Sequence, residues 1–297
     1  MTDPRPSIAV CIAAFNRRDR TLACIASLRR CELPHGLGLD IYLLDDASTD
    51  GTADAVRDLH PDVTLLHGTG SLYWAGGMRR AYGAALEQDH AYYLWMNDDV
   101  VPRGDALTRL IDTERQLFER DGRHHLVTGG MWDPDEDAPS YGGYNLASRL
   151  NPSRVEMVLP DADQPRHVDL TNANMLLIPN AVARVLGNIP SWYTHTLGDW
   201  DYGLRARRAH FGTSLAPGYC GACSGNVPWR RRWHAAGLTL RERYRRMLHP
   251  LALPFAPRAR FLFSHFPMVA PVFAVTPYLK LPFDHLFALD RQEHPTS

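Results

Sequence analysis

Residues 92–101 read Y-Y-L-W-M-N-D-D-V-V, and how this stretch is read decides the fold. An apolar run rich in aromatics has the character of a buried strand, and it ends abruptly on Asn97, Asp98 and Asp99 before an apolar pair and Pro102. Open α/β sheets bind ligands outside the carboxyl ends of their strands, and adjacent hard oxygen donors suit Mg²⁺ or Mn²⁺ carrying a diphosphate. Asn and Asp also favour turns, so an isolated N-D-D leaves both readings open.

Working outward, short apolar runs alternate with helical spacing. Residues 7–15, 40–44, 63–66 and 92–96 read as strands, and residues 19–30, 53–59 and 75–86 as the helices between them. Such alternation predicts an α/β chain with a parallel, doubly wound sheet and right-handed crossovers. That sheet would set Phe15 and Asn16, Asp45 and Asp46, and Asn97 to Asp99 on one rim. Beyond a helix at 106–120, residues 133–165 are rich in Pro, Asp, Gly and Ser and predict long loops with a small hairpin. Further strands are expected at 167–170 and 174–179, and helices at 180–186 and 200–209, with Asp199 near the start of the last. From Trp229 onward, arginines interleaved with aromatics read as an appended helical segment, which divides the chain into residues 1–228 and 229–297.

Composition narrows the classes. At 297 residues and 45% hydrophobic content the chain can bury a sizeable core. A net charge of -1 announces no global field for nucleic acid. Five irregularly spaced cysteines fit a reducing compartment, and the N-terminus lacks the pattern of a secretory signal, so a cytoplasmic location is expected. The C-x-x-C of Cys220 and Cys223 has no second pair or matching histidines for zinc, and a pair of small buried residues is the plainer reading.

Taken in order, A-A-F-N-R (13–17), L-L-D-D-A-S-T-D-G-T (43–52), N-D-D (97–99) and G-D-W-D-Y-G-L-R-A-R-R (198–208) resemble family 2 glycosyltransferases of the GT-A fold, especially rhamnosyltransferase-like and galactofuranosyltransferase-like members. The resemblance covers residues 7–217, and its specificity lies in the ordered combination of blocks. It implies an inverting enzyme that moves a sugar from a nucleoside diphosphate donor to a hydroxyl of a glycan or lipid-linked glycan, in surface polysaccharide assembly. It places Asp99 as the direct ligand of Mg²⁺ or Mn²⁺ and Asp98 against ribose or donor sugar. Asn97 stands where an aspartate is frequent. Asp46, and after it Asp45, would hydrogen-bond the base or ribose, near Phe15 and Asn16. A Trp-x-Gly-Gly-like loop would bring Trp74, Gly77 and Arg79 to the donor, although Trp74 reads equally well as a core aromatic. The same comparison makes Asp199 the general base, with Asp201 as the second acid; an N-cap is the plain alternative for Asp199. Asn174 and Trp200 would line the acceptor side. Where some relatives carry a histidine metal ligand, this chain has Cys220 and Cys223.

The C-terminal arginines and aromatics admit two readings, a solvated helix face and a peripheral contact with anionic lipid. No nucleic-acid motif accompanies them. The rival functional class is a catalytically inactive sugar-nucleotide or glycan-binding module, and a nucleotidyltransferase comes third because it has no need of Asp199.

Overall fold

The computed structural model describes residues 6–225, 233–235 and 237–293. Trp229 and Arg230, Arg231 and Arg232, with the expected boundary beside them, lie outside the described residues. The chain divides into two compact units, residues 1–146 with 155–225, and residues 147–154 with 226–297. The short segment 147–154, assigned by sequence to the larger part, belongs with the C-terminal unit.

In the larger unit the elements run β1 (Ser7–Ala14), α1 (Arg18–Leu28), β2 (Gly38–Asp45), α2 (Thr52–Leu59), β3 (Thr64–His67), α3 (Tyr73–Leu86), β4 (Tyr92–Asn97), β5 (Val101–Pro102) and α4 (Ala106–Asp121). They continue as β6 (His125–Asp133), β7 (Ala138–Tyr141), β8 (Gly143–Leu146), β9 (Val155–Val158), β10 (Arg166–His167), β11 (Met175–Pro179), α5 (Asn180–Leu186), α6 (Gly198–Arg208) and β12 (Gly212–Ala222). The main sheet has the order β10-β12-β6-β11-β4-β1-β2-β3, with β5 and β7 on its margins and β8 and β9 forming a separate hairpin. Strands β3, β2, β1 and β4 are parallel neighbours, as expected, whereas β11 runs antiparallel between β4 and β6. The sheet is therefore mostly parallel and flanked by helices.

The order β3-β2-β1-β4 reverses direction at β1, so the crevice between β1 and β4 is the topological switch point where such sheets bind ligands. Register aligns the ends there: Ala14 lies beside Asp45, and Ala13 beside Asn97. Burial on both faces explains the unbroken apolar runs. Leu94, Trp95 and Met96 are all fully buried. Helix α3 comes close enough to the sheet that a Cβ on Gly77 would sit 2.9 Å from the Ala13 Cβ and 2.8 Å from a Leu44 methyl. Gly129 and Gly130 make β6 hard to recognise by pattern, since glycine weakens a strand signal. Gly129 is there because a Cβ would meet the Cys220 Cβ at 2.9 Å on neighbouring β12.

The C-terminal unit contributes α7 (Leu240–Met247), α8 (Phe255–His265) and α9 (Ala270–Glu293). Thr239 and Glu242 form a reciprocal capping box at the start of α7. Trp233, Met247, Ala252, Leu253 and Leu281 make a small core of their own. Not all its arginines are solvated: Arg243 is buried and donates to the Trp233 carbonyl at 2.8 Å. Among the described residues, no helix is long and apolar enough to cross a membrane.

Candidate active site

The rim is built from strand ends, and each acidic pair on it divides its labour. At the end of β1, Phe15 is half exposed and Asn16 adopts a left-handed conformation, φ 51°. That turn lets the Asn16 side chain accept from the Thr49 N–H at 2.7 Å while its own N–H donates to the Ser48 hydroxyl at 2.8 Å, tying β1 to the loop after β2.

Asp46, expected to hydrogen-bond the base or ribose, is occupied otherwise. Its carboxylate accepts four backbone N–H groups, from Thr69 (3.0 Å), Gly70 (2.8 Å), Leu72 (2.8 Å) and Tyr73 (3.2 Å). It organises the loop that enters α3. Asp45 accepts from the Ser48 N–H at 3.1 Å through Oδ2, while its buried Oδ1 has no hydrogen-bond partner among the described residues. Of the two, Asp45 keeps the open acceptor.

Asn97 is likewise committed to the scaffold. Its Oδ1 accepts from the Trp74 indole at 2.8 Å, and its Nδ2 donates to Asn174 Oδ1 at 2.5 Å. An aspartate could make the first bond and not the second, which is a local reason for an amide here. Trp74 thus has a polar partner on the rim, beyond its role as a core ring.

Asp98 and Asp99 share one cation. The Arg17 guanidinium reaches Asp98 Oδ1 at 3.1 Å and Asp99 Oδ2 at 2.8 Å across the switch point. Sequence reading left Arg17 unassigned, although it closes the A-A-F-N-R block; its partners lie 81 and 82 residues away. Asp98 is buried and its Oδ2 has no hydrogen-bond partner among the described residues. Burial pushes its pKa up to about 6, with Arg17 opposing and Asp99 adding to the rise.

Cys223 comes from the far end of β12 and its thiol lies 3.6 Å from Asp99 Oδ1 and 3.9 Å from Asn174 Oδ1. Burial, reinforced by Asp99, raises its pKa far above that of a free thiol. A thiol is a poor ligand for a hard cation. Both Cys220 and Cys223 are free thiols.

These residues pass one test for Mg²⁺ or Mn²⁺. An unpartnered carboxylate oxygen on Asp98, two oxygens on Asp99 and a guanidinium already drawn into the same place make a site that favours positive charge. Among the described residues, no group of three or more His, Cys, Asp or Glu is arranged to hold a metal ion. Such an ion would rest on Asp99, with water and donor phosphate completing its shell, which is how Mg²⁺ is usually held.

Across the rim, helix α6 begins after Leu197, which takes the left-handed conformation at φ 71°. Asp199 is only partly buried as a residue. Its carboxyl is nevertheless crowded enough to be pushed up to about 6, with hydrogen bonds from the Trp200 and Ala173 backbone working against the rise. Tyr144 on β8 lies close by: burial, and then the charge of Asp199, pushes its phenol up to about 12. The Tyr144 ring also packs beside Trp200, centroids 5.9 Å apart. Tyr144 was missed in the sequence because its strand falls within the stretch read as loops.

Asp201 does not share this setting. It is buried, accepts from the Tyr193 hydroxyl at 3.1 Å and pairs with Arg205 at 2.7 Å. These contacts hold it in the scaffold at the start of α6. Arg79 and Gly77 also have scaffold contacts. Arg79 donates to the Pro190 and Tyr193 carbonyls at 3.2 and 3.1 Å, and Gly77 is a packing contact beneath α3. The segment 171–174 joins the two sides: the Ala173 N–H meets Asp199, while Asn174 holds Asn97 and neighbours Cys223.

No curated protein sequence matches the chain. Among solved structures, it is similar to the mannosyltransferase PcManGT from Pyrobaculum calidifontis in complex with GDP-Man and Mn²⁺, at 19% identity and a TM-score of 0.53 over 99% of this chain and 81% of that one. It is also similar to S. aureus TarS 1-349 in complex with UDP, at 13% identity and a TM-score of 0.51 over 90% and 73%. These likenesses show a common fold. Residues 9–131 match the model of the family described as Glycosyl transferase family 2. That segment runs from within β1 into β6 and delivers Asn16, Asp45 and Asp99 to one rim.

Proposed function

We propose that this protein is an inverting, metal-dependent glycosyltransferase that moves a sugar from a nucleoside diphosphate sugar to a hydroxyl of a glycan or lipid-linked glycan, in surface polysaccharide assembly. The observation that carries this is Asp199, a carboxyl with no cation paired to it among the described residues, raised to about 6 on the rim that also holds Asp98 and Asp99. A general base works best with a pKa near the working pH, and this one is ionised at neutrality yet basic enough to take a proton.

In the proposed reaction the acceptor oxygen forms a bond to the anomeric carbon as the bond from that carbon to the diphosphate breaks. The acceptor's hydroxyl proton passes to Asp199. A single displacement inverts the anomeric centre and needs no protein nucleophile. A bound Mg²⁺ or Mn²⁺ would neutralise charge on the departing diphosphate. Phe15 offers a half-exposed ring to the nucleotide and Asp45 an open acceptor, while Asn16, Asp46, Asn97 and Trp74 hold the surrounding loops. The neighbours with GDP-Man and with UDP support a nucleotide-sugar donor and say nothing of which one is used here.

One observation favours the second reading, a binding module without turnover. Arg17 already pairs with both acids that would take the metal. Thermal stabilisation by a panel of nucleotide sugars, rhamnosyl and galactofuranosyl donors among them, with and without Mn²⁺, separates the two. Mn²⁺-dependent stabilisation followed by slow donor hydrolysis supports the enzyme. Metal-independent glycan binding without hydrolysis supports the module.

A further inference from the structure

Charge is divided unevenly between the two units. Counted along the sequence, segments 147–154 and 226–297 hold thirteen Lys and Arg against four Asp and Glu, a net charge of +9. The rest of the chain holds nineteen against twenty-nine, a net charge of -10. A near-neutral total hides a strongly basic unit.

That unit also carries a helix that is apolar on both sides. In α9, Ala270, Ala274 and Leu281 are buried, with Leu281 in the unit's small core. At 100° per residue, Val272, Val275, Leu279 and Phe283 fall on the opposite side, and they are 61%, 39%, 65% and 62% exposed. A surface helix ordinarily turns polar residues to water, and a helix that is apolar all round expects a second apolar neighbour. Met268, 87% exposed just before the helix, continues the row. The row is about 16 Å long, which suits a helix lying in a plane better than one crossing a bilayer. Lys280 flanks it, and Arg241 and Arg245 on α7 are exposed in the same unit.

We propose that the C-terminal unit docks on an anionic lipid surface, with the row Val272, Val275, Leu279 and Phe283 sunk into the acyl boundary and the unit's positive charge held against the headgroups. The two features select the same partner. Apolar side chains gain free energy at the interface, and basic residues close to it add to the attraction from anionic lipid. Nucleic acid would answer the charge and leave the row in water; a second copy of this chain would answer the row and bring like charges together. The inference does not use the donor reading, so the two can fail separately.

The test is flotation of the full chain with vesicles of phosphatidylcholine alone and of phosphatidylcholine with phosphatidylglycerol. The wild type is expected to float with the anionic vesicles, less so as salt rises. L279S combined with F283S should weaken partitioning by at least about tenfold, since each exposed side chain loses its burial. R241Q combined with R245Q, both at exposed positions, should weaken it and flatten the salt dependence. Unfolding curves and Mn²⁺-dependent donor stabilisation, unchanged in both variants, show that the fold is intact. Wild type that stays out of anionic vesicles, or an apolar-row variant that floats as well as wild type, overturns the proposal. So does a wild-type dimer that the row variant dissolves without any vesicle binding, because the row then serves self-association. RNA binding that survives in the row variant while vesicles bind neither protein overturns it in favour of nucleic acid.

Discussion

Asp98 and Asp99 at the end of β4 share a single guanidinium, whereas of Asp199 and Asp201 at the start of α6 only the second pairs with a cation among the described residues. Both places bring two acids within one short stretch, and their chemistry diverges through what lies across from them. At β4, Arg17 meets two carboxylates and neutralises one charge, leaving net negative charge and an unpartnered Asp98 oxygen; that imbalance is what an added divalent cation would correct. At α6, Arg205 and Tyr193 take up Asp201, and among the described residues Asp199 is left with backbone donors alone. The difference teaches that paired acids on a rim need not be paired in function. In the proposed reaction one place would hold positive charge and the other would take a proton.

The largest expected effect breaks the second place. Asp199→Asn removes the proposed proton acceptor and should lower transfer by roughly a thousandfold, within the usual range for a lost general base. It retains an oxygen to accept from Trp200, so folding is expected to persist. A change under about tenfold would move the base elsewhere.

The pH dependence comes next. Asp98 and Asp199 are both raised to about 6. Activity should be flat above that value and fall below it by about tenfold per unit for each proton that matters. Stability follows the opposite sense for Asp199. Its folded pKa lies above the ordinary 3.8, so the native state holds the proton more tightly. The associated stabilisation is complete below the ordinary value and is lost as pH rises through about 6. Asp199→Asn should therefore melt higher than wild type at neutral pH, by about 1 kcal/mol of stability, and this advantage should vanish in acid.

Asp201→Asn sharpens the contrast by acting on the brace. It should cost about 1–3 kcal/mol of stability by weakening the Arg205 and Tyr193 contacts, while transfer by the folded protein stays within about tenfold of wild type. Denaturant unfolding and a specific-activity measurement below the transition decide this.

The smallest effect is at Arg17. Arg17→Met should lower stability without metal by about 1 kcal/mol, because the guanidinium is partly exposed and solvent screens the pair. Added Mn²⁺ should recover the loss in a melting experiment. No recovery would mean that the acids do not favour a cation beyond Arg17.

Much of the rim was legible in the sequence because strand ends announce themselves. An apolar run that stops on Asp or Asn places those residues at a sheet's edge whatever their neighbours, and Phe15, Asn16, Asp45 and Asn97 to Asp99 are there. Roles were less legible, since they depend on donors distant in the chain. Asp46 is taken up by N–H groups 23 to 27 residues later, and Asn97 by Asn174. Strand β6 escaped because its glycines, Gly129 making room for Cys220 and Gly130 for Pro160, break the pattern that marks a strand. The C-terminal arginines looked alike in sequence, yet Arg243 is buried against backbone carbonyls while Arg241 and Arg245 face solvent.

The central claim is that the β4 acids hold the donor's cation and the α6 acid takes the acceptor's proton. Mn²⁺-dependent thermal stabilisation by the donor, measured side by side with transfer in the Asp99→Asn and Asp199→Asn proteins, tests it most directly. Asp99→Asn is expected to lose both, and Asp199→Asn to keep the stabilisation and lose transfer. Donor stabilisation lost in Asp199→Asn but kept in Asp99→Asn would contradict it.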